Sequence, residues 1–527
     1  MSYLHGRKIN ELSLEEKLGQ LLIIGFDGPV LTDDIRALIR DYKFGNFILF
    51  SRNIVNLEQL MTLTRDIHQE VIKSIGIMPF IAIDQEGGMV IRIKNKELNY
   101  PGSMTLAATN IKNANIVGHM MGKHLMTLGI NMNMAPSMDI NNNPKNPIIG
   151  IRSYGDNPDI VSKYGVNLIK GIQEEGCIAT AKHFPGHGDV EMDSHLGLPI
   201  LPFDKERLYN MELKPFQEAI NNGVKNIMCA HIIFKDIDSE NPATLSKPIL
   251  QDILRHELHY HGLITSDCME MKAISEGITT PVGVTKGIAA GIDLACVCHT
   301  KERQINSIEK LKQAINDNLI SLKDINQKIE RILQRKNEIF SIMDNIFFKN
   351  SNILDTFNNS SSSIINQNIV DNSLTYVSGQ KLELKGKVLL YGCRAEASHM
   401  AEEIIDETNI IDLVNKEIPT IHTLEYKINN FSDTLIKKSI KYDTVIFTSF
   451  NAFTDFSQAK MINELNKKCN NFYVISIRNP YDYLTLDKNI NYYTLYEYTP
   501  NSMRTVVKFL KGEINANGKL PIKLLYD

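Results

Sequence analysis

Short apolar runs alternate with helix-length amphipathic segments over roughly the first 300 residues. The runs lie at 19–26, 45–50, 79–84, 130–140, 177–184, 224–232, 262–267 and 293–298. Apolar strands that alternate with helices are typical of a parallel sheet that is covered by helices. A doubly wound open sheet gives the same alternation, but the count of eight runs favours a (β/α)8 barrel of the TIM type.

A second alternation follows an Asn- and Ser-rich stretch at 349–363, a composition that is typical of linkers. Its strand-like runs lie at 387–392, 443–449 and 472–477. We therefore predict a smaller C-terminal α/β (αβα) sandwich. The predicted division is a barrel domain over 1–345, a linker over 346–370 and the sandwich domain over 371–527.

The composition is that of a soluble globular protein, with 43% hydrophobic and 22% charged residues. The formal net charge of -4 gives no reason to expect a nucleic-acid partner. The chain has no apolar stretch long enough to span a membrane, and its N-terminus lacks the apolar core of a signal peptide. The seven cysteines are an odd number, and several lie inside apolar runs, as reduced thiols do. We expect a cytoplasmic location.

Ionisable side chains lie where several of the predicted barrel strands end. In chain order they are Asp84, Asp139, Lys182, His183, His231 and Asp267. The active sites of such barrels lie at the carboxyl ends of the strands. Surface charge at the start of a loop explains any single member of the set, whereas the whole set predicts an active site.

The segment from Lys182 to His195 has the densest chemistry in the chain, with the sequence KHFPGHGDVEMDSH. Its proline and glycines predict a loop that is able to move, as active-site lids do. Lys182 and His183 are adjacent, so in a regular strand they would point to opposite faces. Both reach one ligand only if the strand has already turned at this point.

Three functions are compatible with this loop: a metal site, a merely solvated loop, and acid/base catalysis with substrate binding. Its histidines and acids are metal ligands by type, but their spacing matches no helical or knuckle motif. In Asp193-Ser194-His195 a carboxylate lies two residues from an imidazole. Such a carboxylate accepts the ring N–H, fixes the tautomer and raises the basicity of the ring. This favours the acid/base interpretation.

Asp267 ends the apolar run at 262–267. A carboxylate at the end of a barrel strand is held rigidly, as a glycosidase nucleophile must be against the anomeric carbon of a sugar. The signal is weak by itself, because many barrel strands end in Asp.

The motifs of the chain together resemble glycoside hydrolase family 3, and within it the NagZ-type β-N-acetylglucosaminidase branch. They are DQEGG…R (84–92), RSYGD (152–156), KHFPGHGD…DSH (182–195), AHI (230–232), PATLS (242–246) and SDCMEM (266–271). The resemblance runs from about residue 10 to 300, and the histidine-rich motif is its most specific part. A weaker similarity continues through RNPY (478–481), YEYTP (496–500) and GKLP (518–521), as in two-domain members of the family.

The resemblance implies a role for each matching residue. Asp267 is expected to be the nucleophile, His195 the general acid/base and Asp193 its partner. The residues expected to hold the sugar hydroxyls and the acetamido group are Asp84, Arg92, Arg152, Lys182 and His183. No cofactor and no metal ion are expected.

The implied activity is that of a retaining exo-β-N-acetylglucosaminidase acting on muropeptides, as in peptidoglycan recycling, or on chitin fragments. A phosphorylase with the same residues is an alternative, because a neutral imidazole repels an incoming phosphate less than a carboxylate does. A metal-dependent hydrolase and a sugar-binding protein without turnover are further alternatives. The sequence does not indicate the oligomeric state.

Overall fold

The computed structural model describes residues 7–191, 197–349, 357, 361–394, 397–403 and 409–524, and it divides the chain into two compact units. Unit 1 comprises Met1–Glu86, Ala114–Pro147 and Val161–Ser360, and unit 2 comprises Gly87–Asn113, Ile148–Ile160 and Ser361–Asp527. Two segments from the first third of the chain, 87–113 and 148–160, therefore belong to the same unit as the C-terminal part.

Unit 1 is a closed parallel barrel. The strands of this unit are β1 (Leu22–Ile24), β2 (Asn46–Leu49), β3 (Phe80–Ile83), β4 (Met132–Asn133), β5 (Ile178–Phe184), β6 (Ile200–Leu201), β7 (Asn226–Cys229), β8 (Ile233–Phe234), β9 (Leu263–Cys268) and β10 (Leu294–Val297). The barrel order is β1-β10-β9-β7-β5-β4-β3-β2, and β6 pairs with β8 in a separate small sheet. Each predicted apolar run contributes one barrel strand, so the predicted TIM-type barrel is confirmed.

Helices connect these strands. The α-helices of the first 343 residues are Leu14–Gln20, Asp33–Tyr42, Leu57–Ile75, Ser103–Ala107, Lys112–Thr127, Pro158–Glu174, Lys205–Asn210, Lys214–Asn221, Lys272–Ser275, Thr280–Ala290, Lys301–Asn316 and Leu322–Met343. Among the described residues of this part there are also two π-helices, Pro248–Glu257 and Asp344–Phe348, and the 3-10 turns Ile9–Glu11, Ser51–Asn53, Lys96–Leu98, Gly150–Arg152 and Ala243–Leu245. The barrel strands are buried over almost their whole length, as expected for strands that are covered on both faces.

Unit 2 contains a mixed six-stranded sheet. Its strands are β11 (Thr375–Ser378), β12 (Val388–Gly392), β13 (His422–Glu425), β14 (Thr444–Ser449), β15 (Phe472–Ser476) and β16 (Asn491–Thr494), in the order β11-β16-β15-β14-β12-β13. Only the pair β11 and β16 is antiparallel. The helices of this unit after residue 360 are Ser362–Ser373, Ile410–Glu417, Asp433–Ser439, Phe456–Lys468 and Pro500–Leu510, with a 3-10 turn at Pro480–Thr485. The short helix Ser103–Ala107 and the 3-10 turns Lys96–Leu98 and Gly150–Arg152 also belong to unit 2. The predicted α/β class of this second domain is confirmed.

The predicted domain boundaries remain a prediction. The helix Ser362–Ser373 begins inside the segment 346–370 that we predicted as a linker, and segments 87–113 and 148–160 belong to unit 2. In the part of the chain that the structure describes, no helix is both long and apolar enough to cross a membrane.

A buried glutamate fixes the segment 87–113 within unit 2. Glu497 Oε2 accepts hydrogen bonds from the Gly102 amide at 2.8 Å and from the Thr105 hydroxyl at 2.6 Å. Its Oε1 accepts one from the Thr499 hydroxyl at 2.8 Å. Burial raises the pKa of Glu497, although these three bonds oppose the rise. Glu497 belongs to the YEYTP motif, so this motif serves to anchor a segment that is distant in sequence.

The segment 148–160 is held by the C-terminal GKLP motif and the residues after it. The Lys523 amide donates to Asp156 Oδ2 at 2.7 Å. Gly155 has a φ of +154°, and a Cβ at this position would lie 2.3 Å from the Pro521 carbonyl oxygen. The backbone of RSYGD therefore packs against the backbone of GKLP so closely that only glycine fits.

We expect Gly155→Ala to destabilise unit 2 by on the order of 3 kcal/mol, because it combines an unfavourable φ with a backbone clash. The midpoint of thermal unfolding and the rate of limited proteolysis measure the effect. Gly277→Ala is the matched control, because a Cβ there meets no atom within 4 Å. An unchanged unfolding midpoint for Gly155→Ala would contradict the close packing.

Candidate active site

The ionisable residues predicted at the strand ends lie at the carboxyl ends of the barrel strands in unit 1. Asp84 follows β3, and Lys182 and His183 lie near the end of β5. His231 follows β7, and Asp267 lies near the end of β9. All these strands are parallel members of one closed barrel, so their ends open at the same face. The structure therefore brings this set to one mouth.

Lys182 lies between two carboxylates at this mouth. Its Nζ is 2.9 Å from Asp84 Oδ1 and 2.7 Å from Glu86 Oε1. The Lys182 and Glu86 side chains are 3% and 4% exposed, whereas that of Asp84 is 18% exposed. A buried ammonium group that contacts two carboxylates is held in position by both of them. Asp84 is thus the member of the cluster that a ligand from the mouth reaches most directly.

Glu86 was missed in the sequence analysis, although it belongs to the DQEGG motif. The sequence signal was its place two residues after Asp84, a spacing that in an extended chain puts both side chains on one face. Because the segment follows the end of β3, that strand-like spacing gave no firm basis for assigning Glu86.

An irregularity in β5 explains how Lys182 and His183 both serve the mouth. Lys182 pairs with Met228 of β7, but the next pair joins Phe184 to Cys229, so His183 is an extra residue on its strand. Such a bulge breaks the alternation of side chains. Lys182 bonds to Asp84, whereas His183 Nδ1 lies 2.7 Å from Asp139 Oδ2. The departure from a regular strand that would let Lys182 and His183 reach one ligand is therefore present.

Asp139 is a fully buried carboxylate that joins two loops. It accepts hydrogen bonds from the Ser137 hydroxyl at 2.9 Å, from the His183 amide at 3.1 Å and from the His187 amide at 2.7 Å. Burial by itself would raise the pKa of Asp139, but the charge of His183, the hydrogen bonds from its ring and backbone and the charge of His187 outweigh burial and lower the pKa to about 2. Asp139 is therefore ionised at neutral pH and orients the His183 ring.

The first half of the histidine-rich loop is held firmly against the chain after β4. The Asn146 side-chain amide donates to the His187 carbonyl oxygen at 2.8 Å. A Cβ on Gly188 would lie 1.6 Å from the Ile140 carbonyl oxygen. Residues 183–188 are thus held by Asp139 and by these contacts, and the movement of the loop stays a prediction. His195 and Asp193 lie outside the described residues.

The end of β9 is fixed by hydrogen bonds around Asp267. The Cys268 amide donates to Asp267 Oδ1 at 2.7 Å. His231 Nε2 lies 3.0 Å from the Cys268 carbonyl oxygen, and its Nδ1 lies 2.7 Å from the Thr244 hydroxyl. The motifs AHI and PATLS thus meet at His231 and Thr244 and position the backbone that carries Asp267. The Asp267 side chain remains partly exposed.

Arg92 and Arg152 belong to unit 2. Both are buried, and Arg92 Nη1 donates to the Ala401 carbonyl oxygen at 2.9 Å and lies 3.7 Å from Glu403 Oε1. Arg152 Nη1 donates to the Ile148 carbonyl oxygen at 3.3 Å. These contacts fix the two guanidinium groups within their own unit, and their contact with sugar stays a prediction.

No three His, Cys, Asp or Glu side chains within the described ranges, which omit 192–196, are placed to hold a metal ion. The acids at the mouth are instead engaged by Lys182, by His183 and by backbone amides. The described site therefore consists of carboxylates and hydrogen-bond donors that hold one another in position.

Comparison with protein families adds an independent observation. The model described as "Glycosyl hydrolase family 3 N terminal domain" matches residues 13–335. This range covers more than half of the chain, including the barrel and every predicted catalytic residue.

Among curated proteins, the chain is 34% identical to beta-hexosaminidase A of Pseudoalteromonas piscicida over 333 residues, which is 59% of this chain and 56% of that protein. It is 33% identical to a beta-hexosaminidase of Hydrogenovibrio crunogenus over 298 residues, covering 54% of this chain and 82% of the relative. The match thus spans little more than half the length of the first of these relatives.

Among solved structures, the family 3 β-N-acetylglucosaminidase of Paenibacillus sp. str. FPU-7 is similar over both units. The sequences are 33% identical, the TM-score is 0.89, and the match covers 98% of this chain and 100% of that chain. A β-glucoside phosphorylase, BglX, has a TM-score of 0.80 at 21% identity, with 98% and 95% of the two chains covered. At that identity the likeness concerns the fold.

We expect Asp139→Asn to destabilise unit 1 by on the order of 3 kcal/mol at neutral pH, because buried donors around residue 139 lose their anionic acceptor. The lowered pKa of Asp139 means that its ionised form stabilises the fold above about pH 4 and that this stabilisation is lost as the pH falls towards 2. Urea unfolding at several pH values measures the difference between variant and wild type, which should shrink below pH 4.

The exposed Asp159→Asn is the matched control. If both variants unfolded at the same urea concentration at neutral pH, the Asp139 network would have no role in stability.

Proposed function

Because the chain belongs to glycosyl hydrolase family 3, we propose that it is a retaining exo-β-N-acetylglucosaminidase. The predicted family and enzyme class, that of the glycoside hydrolases, are confirmed by this membership. The proposed substrates are β-linked glycosides with a terminal N-acetylglucosamine, such as muropeptides or chitin fragments.

The observation that carries the proposal is the position of Asp267. Its carboxylate lies at the end of a buried barrel strand, one oxygen accepts the Cys268 amide, and the side chain is partly exposed at the mouth. A nucleophile needs a fixed position and access to the anomeric carbon, and the amide bond and partial exposure of this carboxylate are consistent with that role. His231 and Thr244 hold the backbone that follows it.

In the proposed first step, an Asp267 oxygen attacks the anomeric carbon, and the bond to the leaving oxygen breaks. His195 donates its proton to that oxygen, so the aglycone leaves as a neutral alcohol. In the second step, His195 takes a proton from water, whose oxygen attacks the anomeric carbon and releases Asp267. Two inversions at one carbon give overall retention.

Histidine suits this double duty because its usual pKa of about 6.5 lies near neutrality. Asp193, two residues before His195, is the proposed acceptor of the ring N–H. Both assignments rest on the motif that carries these residues.

Asp84, Lys182 and His183 are the proposed ligands of the sugar hydroxyls. Asp84 is an acceptor at the mouth, and Lys182 beside it is a donor that lies between two carboxylates. His183 is oriented by Asp139. A cluster that contains both donors and acceptors in fixed positions suits a hydroxyl-rich ligand, because each hydroxyl both donates and accepts. Arg92 and Arg152 are also proposed to contact the sugar, a role that rests on the motifs that carry them.

The choice of N-acetylglucosamine rests on similarity to named relatives. The two curated relatives are named beta-hexosaminidases, and the Paenibacillus structure is of a β-N-acetylglucosaminidase that matches this chain over both units. An assay with 4-nitrophenyl β-N-acetylglucosaminide, against the β-glucoside as the comparison, tests this choice directly.

We expect the wild type to release 4-nitrophenol from the N-acetylglucosaminide and Asp267→Asn to lose at least about 10³-fold in kcat, because the nucleophile is removed. The exposed Asp236→Asn serves as the control and should keep full activity. Circular dichroism establishes that both variants are folded. A folded Asp267→Asn variant with full activity would remove the nucleophile assignment. Adding inorganic phosphate and measuring sugar 1-phosphate separates hydrolysis from phosphorolysis.

His195→Ala should slow the hydrolysis of substrates with poor leaving groups by about 10²–10⁴-fold, because those oxygens need a proton to depart. The 4-nitrophenyl substrate needs little help, so its first step should slow much less. Pre-steady-state release of the aglycone measures that step. An equal loss for good and poor leaving groups, with the first step still limiting, would contradict the acid role.

A further inference from the structure

The end of β9 and the chain after β10 carry a group of thiols beside Asp267. Cys268 is the residue that follows Asp267, and Cys298 follows the last residue of β10. The thiols of Cys268 and Cys298 are in hydrogen-bond contact, and the Cys298 thiol also contacts that of Cys296. All three cysteines belong to unit 1 and are free thiols in the structure. The proposed hydrolase mechanism uses none of these side chains.

The thiols of this group differ in their access to solvent. Of the seven cysteines of the chain, Cys268 and Cys469 are partly exposed, and the other five, which include Cys296 and Cys298, are buried. An oxidant that enters the barrel mouth therefore meets Cys268 first, and Cys298 is the thiol in contact with it. An accessible cysteine next to a second cysteine that completes a disulfide is the arrangement found in redox sensors.

Glu270 holds His299 close to the Cys268 thiol. The His299 amide donates to Glu270 Oε2 at 2.6 Å, and the Thr300 amide donates to Glu270 Oε1 at 3.1 Å. The Glu270 side chain is only 4% exposed, so it fastens the chain after β10 firmly to the turn after β9. The His299 ring contacts the Cys268 thiol and is itself open to solvent.

The Cys268 thiol needs a base before it is able to attack an oxidant, because the thiolate is the nucleophile. Contact with Cys298 and burial raise the pKa of Cys268, and contact with His299 opposes the rise. The thiol is therefore protonated at neutral pH. The contact with Cys268 raises the pKa of His299, so the neutral ring of His299 is a stronger base than an ordinary histidine and is placed to take the proton.

A bond between Cys268 and Cys298 acts directly on the position of Asp267. The register of the sheet pairs Cys268 with Cys296, and Cys298 lies two residues further along. Since neighbouring strands lie roughly 4.8 Å apart and each residue advances roughly 3.3 Å, an offset of two residues is at the limit of disulfide reach and requires the backbone to shift. The Cys268 amide donates to Asp267 Oδ1 at 2.7 Å. A shift of Cys268 therefore weakens a hydrogen bond that fixes the Asp267 carboxylate.

We propose that Cys268 and Cys298 form a reversible disulfide when the protein meets a peroxide, and that this disulfide displaces Asp267. The Cys268 sulfur first attacks one oxygen of hydrogen peroxide and the O–O bond breaks. The thiol proton passes through His299 to the departing hydroxide, which leaves as water, and Cys268 becomes a sulfenic acid. The Cys298 sulfur then attacks the Cys268 sulfur, and the sulfenic hydroxyl leaves as water with the Cys298 proton. The two sulfurs lose two electrons to the peroxide, which is reduced to water.

Oxidation of the reduced full chain with millimolar hydrogen peroxide at mildly alkaline pH tests the disulfide. Trypsin releases Cys268 in the peptide 256–272, and it releases Cys296 and Cys298 together in the peptide 287–301. After the remaining thiols are blocked, mass spectrometry should show these two peptides linked, with two hydrogen atoms lost, and dithiothreitol should separate them. Absence of the linked pair, a bond confined to 287–301, or conversion of Cys268 to a sulfinic acid without a disulfide would overturn the proposal.

Cys298→Ser and Cys298→Ala should abolish the linked pair and leave a sulfenic acid on Cys268 that dimedone traps. Cys296→Ser should keep the linked pair. Cys469→Ser is the matched control, because it removes the other partly exposed thiol and should form the same disulfide as the wild type. Circular dichroism establishes that each variant is folded. A linked pair that persists without Cys298, or one that is lost with Cys296, would overturn the assignment of the second thiol.

The effect on turnover rests on the proposed function. Where the reduced wild type hydrolyses 4-nitrophenyl β-N-acetylglucosaminide, oxidation should lower kcat on the order of 10²-fold, because a misplacement of about 1 Å in a reacting group costs that much. Dithiothreitol should restore kcat, and Cys268→Ala should have the same kcat before and after peroxide treatment. A disulfide that leaves kcat unchanged would overturn the displacement of Asp267. Because the disulfide is detected by mass, failure of the thiol pair is distinguishable from failure of the proposed function.

Discussion

The Asp139 carboxylate accepts the backbone amides of His183 and His187 and lies 2.7 Å from the His183 ring, and it is fully buried. A buried anion with this many donors is strongly held in place, since every displacement breaks charge-assisted hydrogen bonds in a medium of low dielectric. The loop after β5 is thereby attached to the chain after β4. The position of the His183 ring at the end of β5, and the point from which the chain continues towards His195, follow from this attachment.

The barrel strands could be predicted because each is a short apolar run, and burial on both faces is what such a run indicates. The strands missed in the second domain are different. β13 has two exposed residues among its four, β11 is an edge strand, and β16 begins with a polar, partly exposed asparagine. Their pairing depends on neighbours that a local pattern does not reveal, so the sequence predicted only the buried central strands of this sheet.

Strand-end residues of the candidate site could likewise be predicted, because the ends of parallel barrel strands meet at one face. Two features could not. Glu86 engages Lys182 only because the segment after β3 turns back towards β5. The bulge at His183 changes the direction of its side chain, and no residue type in the motif encodes that irregularity locally. Both depend on contacts between segments that are distant in sequence.

The weak C-terminal similarity now has a physical explanation. Glu497 of YEYTP binds Gly102 and Thr105, and Pro521 of GKLP packs against Gly155. Unit 2 is therefore discontinuous in the chain, with its earliest pieces at 87–113 and 148–160. During synthesis these pieces leave the ribosome long before the residues that will cover them, and unit 2 cannot be completed until the last strands and helix have emerged. A genetic exchange that replaced the C-terminal part with that of another protein would leave segments 87–113 and 148–160 without their packing partners. The two units of this chain are therefore expected to be inherited together.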